Sequence, residues 1–220
     1  MAAVLSPYSL LVWERWVRSK QGPPDGDRID PDDEDEDIDE LEESDALRFD
    51  CQLAAIGLLS RICIPQSMPQ LRGLTMSKLN AITASLQKSE AVPVALWEDL
   101  HWLFLSIGHM IADETDAGET RFIPAQIMAF SVQQAAAVSQ VAAESTDHLV
   151  ALVDVILKAM EIEMAAMSAQ ICHAWSPQTA EDLRWLLLRF AEAYVWFDED
   201  HSPIVSSAIH AALGRKGLKF

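Results

Sequence analysis

Apolar residues recur at helical spacing along most of this chain, and this periodicity limits the possible folds more than any other feature. The clearest stripe lies in residues 146–172, where apolar side chains return every three or four positions, as on one face of an α-helix. The stripe consists of Leu149, Leu152, Val153, Ile156, Leu157, Met160, Met164, Met167 and Ile171. No stretch alternates apolar and polar residues convincingly as a half-buried strand does. The sequence therefore predicts an all-α fold.

Prolines mark the boundaries between successive helices. Residues 69–90 predict one helix, and Pro93 separates it from residues 94–112, which are apolar almost all round and predict a helix covered on several sides. Proline suits the first turn of a helix, and serine caps it. Further starts are predicted at Ile-Pro in residues 123–124, at Ser-Pro in 176–177 and at Ser-Pro in 202–203. The chain thus predicts about eight helices.

An acidic run interrupts this helical pattern near the N-terminus. Twelve of the sixteen residues from 30 to 45 are Asp or Glu, and residues 25–50 carry −13 of the formal net charge of −18. Such a run repels itself and buries almost no apolar surface, so we predict disorder there. The chain then divides into a first helix in residues 1–19, a disordered acidic loop in 20–46 and HEAT-like helical repeats in 47–220.

The length of the predicted helical units favours one all-α architecture. Two neighbouring helices with their turn occupy about 40–47 residues, which is the unit length of HEAT-type repeats. We therefore expect a HEAT-type helical-repeat solenoid, an α-α superhelix of about eight helices. An irregular helical bundle has the same periodicity and stays open as the alternative.

Several chemical functions lack support in the sequence. Glu98 and His101 form a Glu-x-x-His pair, but a di-iron bundle needs two such pairs, and this pair stands alone. We expect Glu98 and Asp99 to point to solvent or a turn and His101 to be a hydrogen-bonded core residue. No phosphate loop, nucleophile elbow or zinc-ligand spacing is present. The chain is therefore predicted to have no catalytic, metal or cofactor site, although a metalloenzyme bundle with iron or manganese is a further hypothesis.

Charge and hydropathy bear on the partners. The acidic balance and the absence of a Lys/Arg cluster argue against nucleic acid as a partner. The longest apolar run, residues 95–112, contains Glu98, Asp99, His101 and His109 and predicts a buried helix rather than a membrane insertion. The seven tryptophans and the methionines of residues 160–167 are expected to fill gaps between helices.

The acidic run is the strongest candidate for a binding surface. A dense set of carboxylates attracts basic surfaces over roughly a Debye length, about 8 Å in physiological salt. The alternative is a solubilising loop without a partner. The predicted partner-binding residues are Asp32, Asp33, Glu34, Asp35, Glu36, Asp37, Asp39, Glu40, Glu42 and Glu43.

Particular stretches of the sequence resemble the exportin-4 family of nuclear transport receptors. An acidic run precedes Gly-Leu-Leu-Ser-Arg-Ile, and an Asp-Leu-His-Trp helix precedes an Ala-Asp-Glu-Thr turn, a Gly-Glu-Thr loop and an Ile-Pro helix start. A Ser-Pro-Gln helix start, a Trp-Leu-Leu-Leu-Arg-Phe segment and Tyr194 follow in the same order. These stretches lie at residues 57–62, 97–103, 108–115, 118–120, 123–124, 176–178 and 185–190.

The resemblance spans about residues 30–200 and implies a middle segment of such a receptor. It implies a karyopherin solenoid of stacked HEAT repeats in the importin-β superfamily. The implied partners are Ran-GTP, nuclear pore proteins and protein cargo for nuclear export, for example a hypusine-containing translation factor. The implied location is the nucleus and the cytoplasm, with shuttling through the nuclear pore. A generic helical-repeat scaffold that binds a basic protein through the acidic loop, without nucleotide control, is the alternative function.

Overall fold

A computed structural model of the chain describes residues 44–114, 121–138, 147–169 and 175–195. Within these residues the chain is mostly helical, which confirms the predicted all-α class. The predicted first helix in residues 1–19 and the helix predicted to start at residues 202–203 lie outside the described residues. The elements are α1 Asp45–Arg48, α2 Asp50–Ile62, α3 Ile64–Gln87, α4 Val94–Ile111, β1 Asp113–Glu114, β2 Arg121–Phe122, α5 Ala125–Val138, α6 His148–Ser168, α7 Pro177–Phe190 and a π-helical turn Ala191–Val195.

Helix α4 is the centre of the fold. Every residue from His101 to Ile111 is buried, because α2 and α7 pack against α4 on different sides and α3 packs against it as well. Helices α3 and α6 pack against each other and complete the core. The prediction that residues 94–112 form a helix covered on several sides is therefore confirmed.

Helices α2 and α4 lie side by side and run in the same direction. Near their starts, the rings of Phe49 and Trp102 meet edge to face with centroids 5.6 Å apart. Near their ends, Arg61 Nε donates to the Met110 carbonyl oxygen at 2.8 Å. Contacts early in α2 thus fall early in α4, and late contacts fall late, which is a parallel pairing.

Helix α7 pairs with α4 in the same sense on another side. His101 contacts Asp182 in the first half of the pairing, whereas Ile111 contacts Tyr194 at its end. The result is a layer of three parallel helices in the order α2, α4, α7, with α3 and α6 packed together as a second group. We call the first set the parallel layer.

Two glycines bring the backbones of the parallel layer close together. A Cβ atom on Gly57 in α2 would overlap the backbone carbonyl of His109 in α4. A Cβ atom on Gly108 in α4 would overlap the indole ring of Trp185 in α7. Close approach of this kind admits only glycine, because even a methyl group would occupy the volume of the neighbouring helix.

Helix boundaries differ from the predicted ones where two start signals compete. Helix α3 begins at Ile64, with Pro65 in its first turn, and Pro69 lies inside the helix rather than at its start. Pro65 already supplies the fixed φ of a first turn. Pro69, the sixth residue of the helix, has no amide hydrogen to donate to the Pro65 carbonyl, so the helix lacks one i→i−4 hydrogen bond there. Helix α1 begins at Asp45, before the predicted return of order near Leu47.

The loop predicted between α4 and α5 begins and ends in paired backbone. Asp113 lies opposite Phe122, and Glu114 lies opposite Arg121, in a two-stranded antiparallel pair. Helix α5 follows directly after Pro124, as predicted. Further on, Asp147 Oδ1 caps α6 by accepting from the Leu149 amide at 2.8 Å. Ser176 caps α7, and Pro177 occupies its first turn, which confirms that predicted start.

The last turns of α6 bury a different face from the predicted one. Met164 and Met167 are 58% and 56% exposed, so the prediction that they fill the core is wrong. Glu163 and Ala166 are buried in their place. Glu163 accepts from Arg184 Nη2 of α7 at 3.0 Å, and this polar contact holds the Glu163 face of α6 against α7.

The tryptophans within the described residues occupy the gaps predicted for them. Trp97 and Trp175 are buried and meet edge to face with ring centroids 4.9 Å apart. Trp102 is buried between α2 and α4, in a small cluster with Leu53. Trp13, Trp16 and Trp196 lie outside the described residues.

Candidate functional site

A buried polar cluster surrounds the C-terminal end of α4. The last carbonyl groups of a helix have no partner within the helix and need donors from elsewhere. Here three side chains from two neighbouring helices and the π-helical turn supply those donors. We call this group, together with the carboxylates paired to it, the α4 cap cluster: Arg61, Arg189, Tyr194, Asp113 and Glu114.

Arg61 reaches the α4 end from α2. It is only 5% exposed, and its Nε donates to the Met110 carbonyl at 2.8 Å. One terminal nitrogen donates to Asp113 Oδ1 at 2.6 Å, and the other donates to the His109 carbonyl. The planar guanidinium fork matches several acceptors at once, which the point charge of a lysine cannot do.

Arg189 reaches the same carbonyls from α7. It is 3% exposed and donates to the carbonyls of Gly108 at 3.3 Å and Ala112 at 3.2 Å, with Glu114 as its carboxylate partner. Burial lowers the pKa of Arg189 to about 10, so the side chain keeps its charge at neutral pH. A positive charge at a helix C-terminus is also favoured by the helix dipole.

Tyr194 completes the cap from the π-helical turn. Its hydroxyl donates to the Ile111 carbonyl at 2.6 Å, and burial raises the pKa of this phenol, so it stays a protonated donor. Arg121 in β2 extends the network by pairing with Glu114 and with Glu192 in the same turn. The cluster thus ties α2, α7, the strand pair and the π-helical turn to one helix end.

His109 lies inside this positive environment. Burial, followed by the charges of Arg189 and Arg61, lowers its pKa to about 3. The imidazole is therefore neutral at physiological pH. Its ring packs beside Trp185 at 5.4 Å between centroids, and among the described residues its Nε2 has no hydrogen-bond partner. The carboxylate of Asp50 lies 3.9 Å from Nε2, at the outer limit of an ion pair.

His101 forms a second polar group near the start of the parallel layer. Its Nδ1 donates to Asp182 Oδ2 at 2.7 Å, and its Nε2 lies 3.2 Å from the Asp45 carboxylate without hydrogen-bond geometry. Burial opposes its protonation, but the hydrogen bond to Asp182 and the charges of Asp182, Asp45 and Glu98 outweigh it, so the pKa of His101 is raised. Gln178 donates to the other Asp182 oxygen at 3.2 Å.

The structure thereby separates the members of the predicted Glu-x-x-His pair. His101 is a hydrogen-bonded core residue, as predicted, and Glu98 is exposed, as predicted. Asp99 differs, because it is half-buried and pairs with Lys78 of α3 at 2.6 Å rather than pointing only to solvent. Among the described residues, no three His, Cys, Asp or Glu side chains come together in a way that could hold a metal ion.

The predicted partner-binding carboxylates cannot be placed on this framework. All ten, from Asp32 to Glu43, lie outside the described residues. Conversely, sequence reasoning did not single out Arg61 and Arg189 as functional residues. The available signal was a single arginine within a short, largely apolar segment, in residues 57–62 and again in 185–190. Both segments belong to the stretches that carry the exportin-4 resemblance.

Comparison with known proteins adds no family assignment, since no protein-family model matches the chain. Within the described part of the chain, no helix has both the length and the apolar character needed to cross a membrane. The α4 cap cluster has a structural role, because its arginines donate to backbone carbonyls and to carboxylates of the same chain and thereby hold the helices together.

Proposed function

We propose that this chain is a middle segment of an exportin-4-like nuclear transport receptor and works by binding rather than by catalysis. Its helices would form HEAT-type repeats of a karyopherin solenoid. Such a segment would contribute to a curved surface that holds protein cargo and Ran-GTP, and GTP hydrolysis on Ran would release them. Shuttling between nucleus and cytoplasm, with contacts to nuclear pore proteins, belongs to the same proposal.

The parallel layer is the observation that carries the architectural part of the proposal. In a two-layer helical solenoid, one helix of each repeat lies beside the equivalent helix of the next, pointing the same way. The contacts of Arg61 with α4 and the strand after it join residues 48–52 positions apart, close to one HEAT unit of about 40–47 residues. The α3–α6 pair supports a second layer.

The step from α4 to α7 is longer than one unit. Contacts between these helices join residues 81–83 positions apart, which is about two units. Helix α5 and the strand pair account for the additional chain. The proposed solenoid is therefore irregular at this point, with one inserted helix between neighbours of the parallel layer.

The transport part of the proposal rests on the resemblance. The similar stretches include part of the buried surface of α4 and the two arginines of the α4 cap cluster. These residues support a shared way of packing helices. From the resemblance we also propose the partners, which are Ran-GTP and a hypusine-containing translation factor as cargo. The carboxylates of residues 32–43 would contact these partners.

Nucleotide-dependent capture tests the proposal. The full chain is passed over immobilised Ran loaded with a GTP analogue or with GDP, at low and at physiological salt. We expect retention on the GTP form only, with affinity falling as salt screens the acidic segment. A matched variant with Asp32, Asp33, Glu34, Asp35, Glu36 and Asp37 changed to Ser or Asn should bind several-fold more weakly. Equal or absent retention on both forms would contradict a Ran-dependent receptor.

A second function is favoured by one specific observation, the concentration of charge in the acidic segment. Residues 25–50 carry −13, so the chain could act as a helical scaffold for a basic protein such as a histone, without nucleotide control. This alternative predicts salt-sensitive binding to the basic protein that is unaffected by Ran and its nucleotide. The same Ser/Asn variant should lose that binding.

A further inference from the structure

Helix α2 carries apolar residues on two opposite sides. Its buried side faces α4 through Leu53, Gly57 and Arg61. On the other side, four exposed apolar residues follow one another at spacings of four, three and four, which places them on one face of the helix. We call this set the outer face of α2, and it consists of Cys51, Ala55, Leu58 and Ile62.

The outer face of α2 is a contiguous apolar surface at the edge of the parallel layer. Leu58 and Ile62 are 52% and 65% exposed, and the adjoining Leu59 is 63% exposed. Leu47 of α1 is exposed nearby in sequence. Single exposed apolar residues are ordinary, but several large ones on one helix face mark a surface that another element covers.

We propose that the segment of residues 4–18, whose sequence predicts an amphipathic helix, docks on the outer face of α2. The segment carries Leu10, Trp13 and Val17 at spacings of three and four, which is one helical face. Trp16 adjoins that face, the charged residues Arg15 and Arg18 fall on the other side, and Glu14, four residues after Leu10, lies at the edge of the apolar face. A helix with such a broad apolar stripe needs a partner surface to bury it.

The dimensions of the two partners agree. Helix α2 has 13 residues and is therefore about 20 Å long, and a helix of residues 4–18 would be about 22 Å long. The 25 residues from 19 to 43 connect that segment to Ser44, immediately before α1. Fully extended, 25 residues span about 80–90 Å, so the chain is long enough for the segment to reach any part of α2.

Tethering also decides between this occupant and a second copy of the chain. A segment joined to its docking site by 25 residues of the same chain meets that site at an effective concentration of up to the millimolar range, whereas a second copy competes only at its solution concentration. At micromolar protein concentration, the segment of the same chain therefore occupies the outer face of α2 in preference to a second copy. The proposal concerns contacts within the chain and stands independently of any receptor function.

Cys51 makes the proposal directly testable, because this native thiol lies on the outer face itself. In the full chain, Cys63 and Cys172 are changed to Ser, and one new cysteine replaces Leu10 or Val17 on the apolar side of the segment. Matched controls place the cysteine at Arg15 or Arg18 on the charged side. Mild oxidation, non-reducing gels and peptide mass analysis then report which disulfides form.

If the segment docks, the Leu10→Cys or the Val17→Cys variant should form a disulfide with Cys51 of the same chain. This disulfide should form at least about tenfold faster than in the controls, and its rate should not depend on protein concentration. Adding Ile62→Asp, an exposed position outside the core, should remove that advantage while far-UV circular dichroism stays unchanged. Equal rates for apolar and charged positions would overturn the proposal. Disulfides between two chains, with yields that rise with concentration, would overturn it in favour of a second copy.

Discussion

The ring of Trp185 fills the space that a Cβ atom at Gly108 would occupy, so α4 and α7 touch through a glycine and an indole. Arg189 extends this contact, with its guanidinium 4.8 Å from the centre of the Trp185 ring and a hydrogen bond to the Gly108 carbonyl. The glycine, the indole and the guanidinium therefore form one packed unit. The spacing between α4 and α7 in the parallel layer depends on this unit.

Gly108→Ala should therefore destabilise the fold. The added methyl group must displace the Trp185 ring, which is an overpacking cost of about 1–3 kcal/mol in the free energy of unfolding. Gly73→Ala is the matched control, because Gly73 lies inside α3 and a Cβ atom there would meet no other atom within 4 Å. That control should gain about 0.5–1 kcal/mol from helix propensity. Urea denaturation of both variants measures the difference, and stabilisation by both alanines would contradict the contact.

The α4 cap cluster predicts a strong dependence on Arg61. Arg61→Met leaves the buried carbonyls of His109 and Met110 without their donor, at a cost of about 1–3 kcal/mol for each. The Asp113 carboxylate also loses its partner, but it is 39% exposed and is solvated in part. Arg61→Lys should recover only part of this loss, because an ammonium group cannot serve all three acceptors. Denaturant midpoints of the full chain report both values.

The control for that experiment is an ion pair at the surface. Lys158 lies 3.2 Å from Glu161 with both side chains more than half exposed, so Lys158→Met should change stability by less than about 1 kcal/mol. A similar loss for Arg61→Met and Lys158→Met would mean that the Arg61 contacts contribute no more than a solvated pair.

Parts of this architecture are readable from the sequence, and the reasons differ from element to element. Helix α4 is predictable because its apolar residues cover all sides, a property of local composition. The contacts of Arg61 are not predictable in this way, since its acceptors lie 48–52 residues away and the sequence of α2 does not indicate which groups they are. Likewise, the burial of Glu163 in place of Met164 depends on Arg184, which belongs to another helix. Long-range polar pairs therefore set the helix faces that periodicity alone assigns incorrectly.

His101 predicts a loss of stability as the pH rises. Because its pKa is raised in the folded chain, the folded state holds the proton more tightly than the unfolded state, whose pKa is about 6.5. The resulting stabilisation is complete below about pH 6.5 and disappears as the pH rises through the folded pKa. The unfolding free energy of the wild type minus that of His101→Gln should therefore fall with increasing pH.

Asp45→Asn offers a control for the His101 prediction. The Asp45 carboxylate contributes to the raised pKa from the exposed helix α1, whereas the buried hydrogen bond to Asp182 stays intact. An NMR titration of the His101 ring should show a lower pKa in this variant than in the wild type. An unchanged pKa would show that the charge of Asp45 does not stabilise the protonated form of His101.

His109 predicts the opposite pH dependence. Its pKa is lowered to about 3 in the folded chain. Between about pH 3 and pH 6.5, His109 is therefore protonated in the unfolded state but neutral in the folded state. Its contribution to stability is complete above about pH 6.5 and is lost as the pH falls towards 3. His109→Phe keeps an aromatic ring beside Trp185 but cannot take up the proton. The variant should consequently lose less stability than the wild type on acidification, measured by denaturation at matched pH values, and parallel acid-unfolding curves would show that His109 titrates normally in the folded chain.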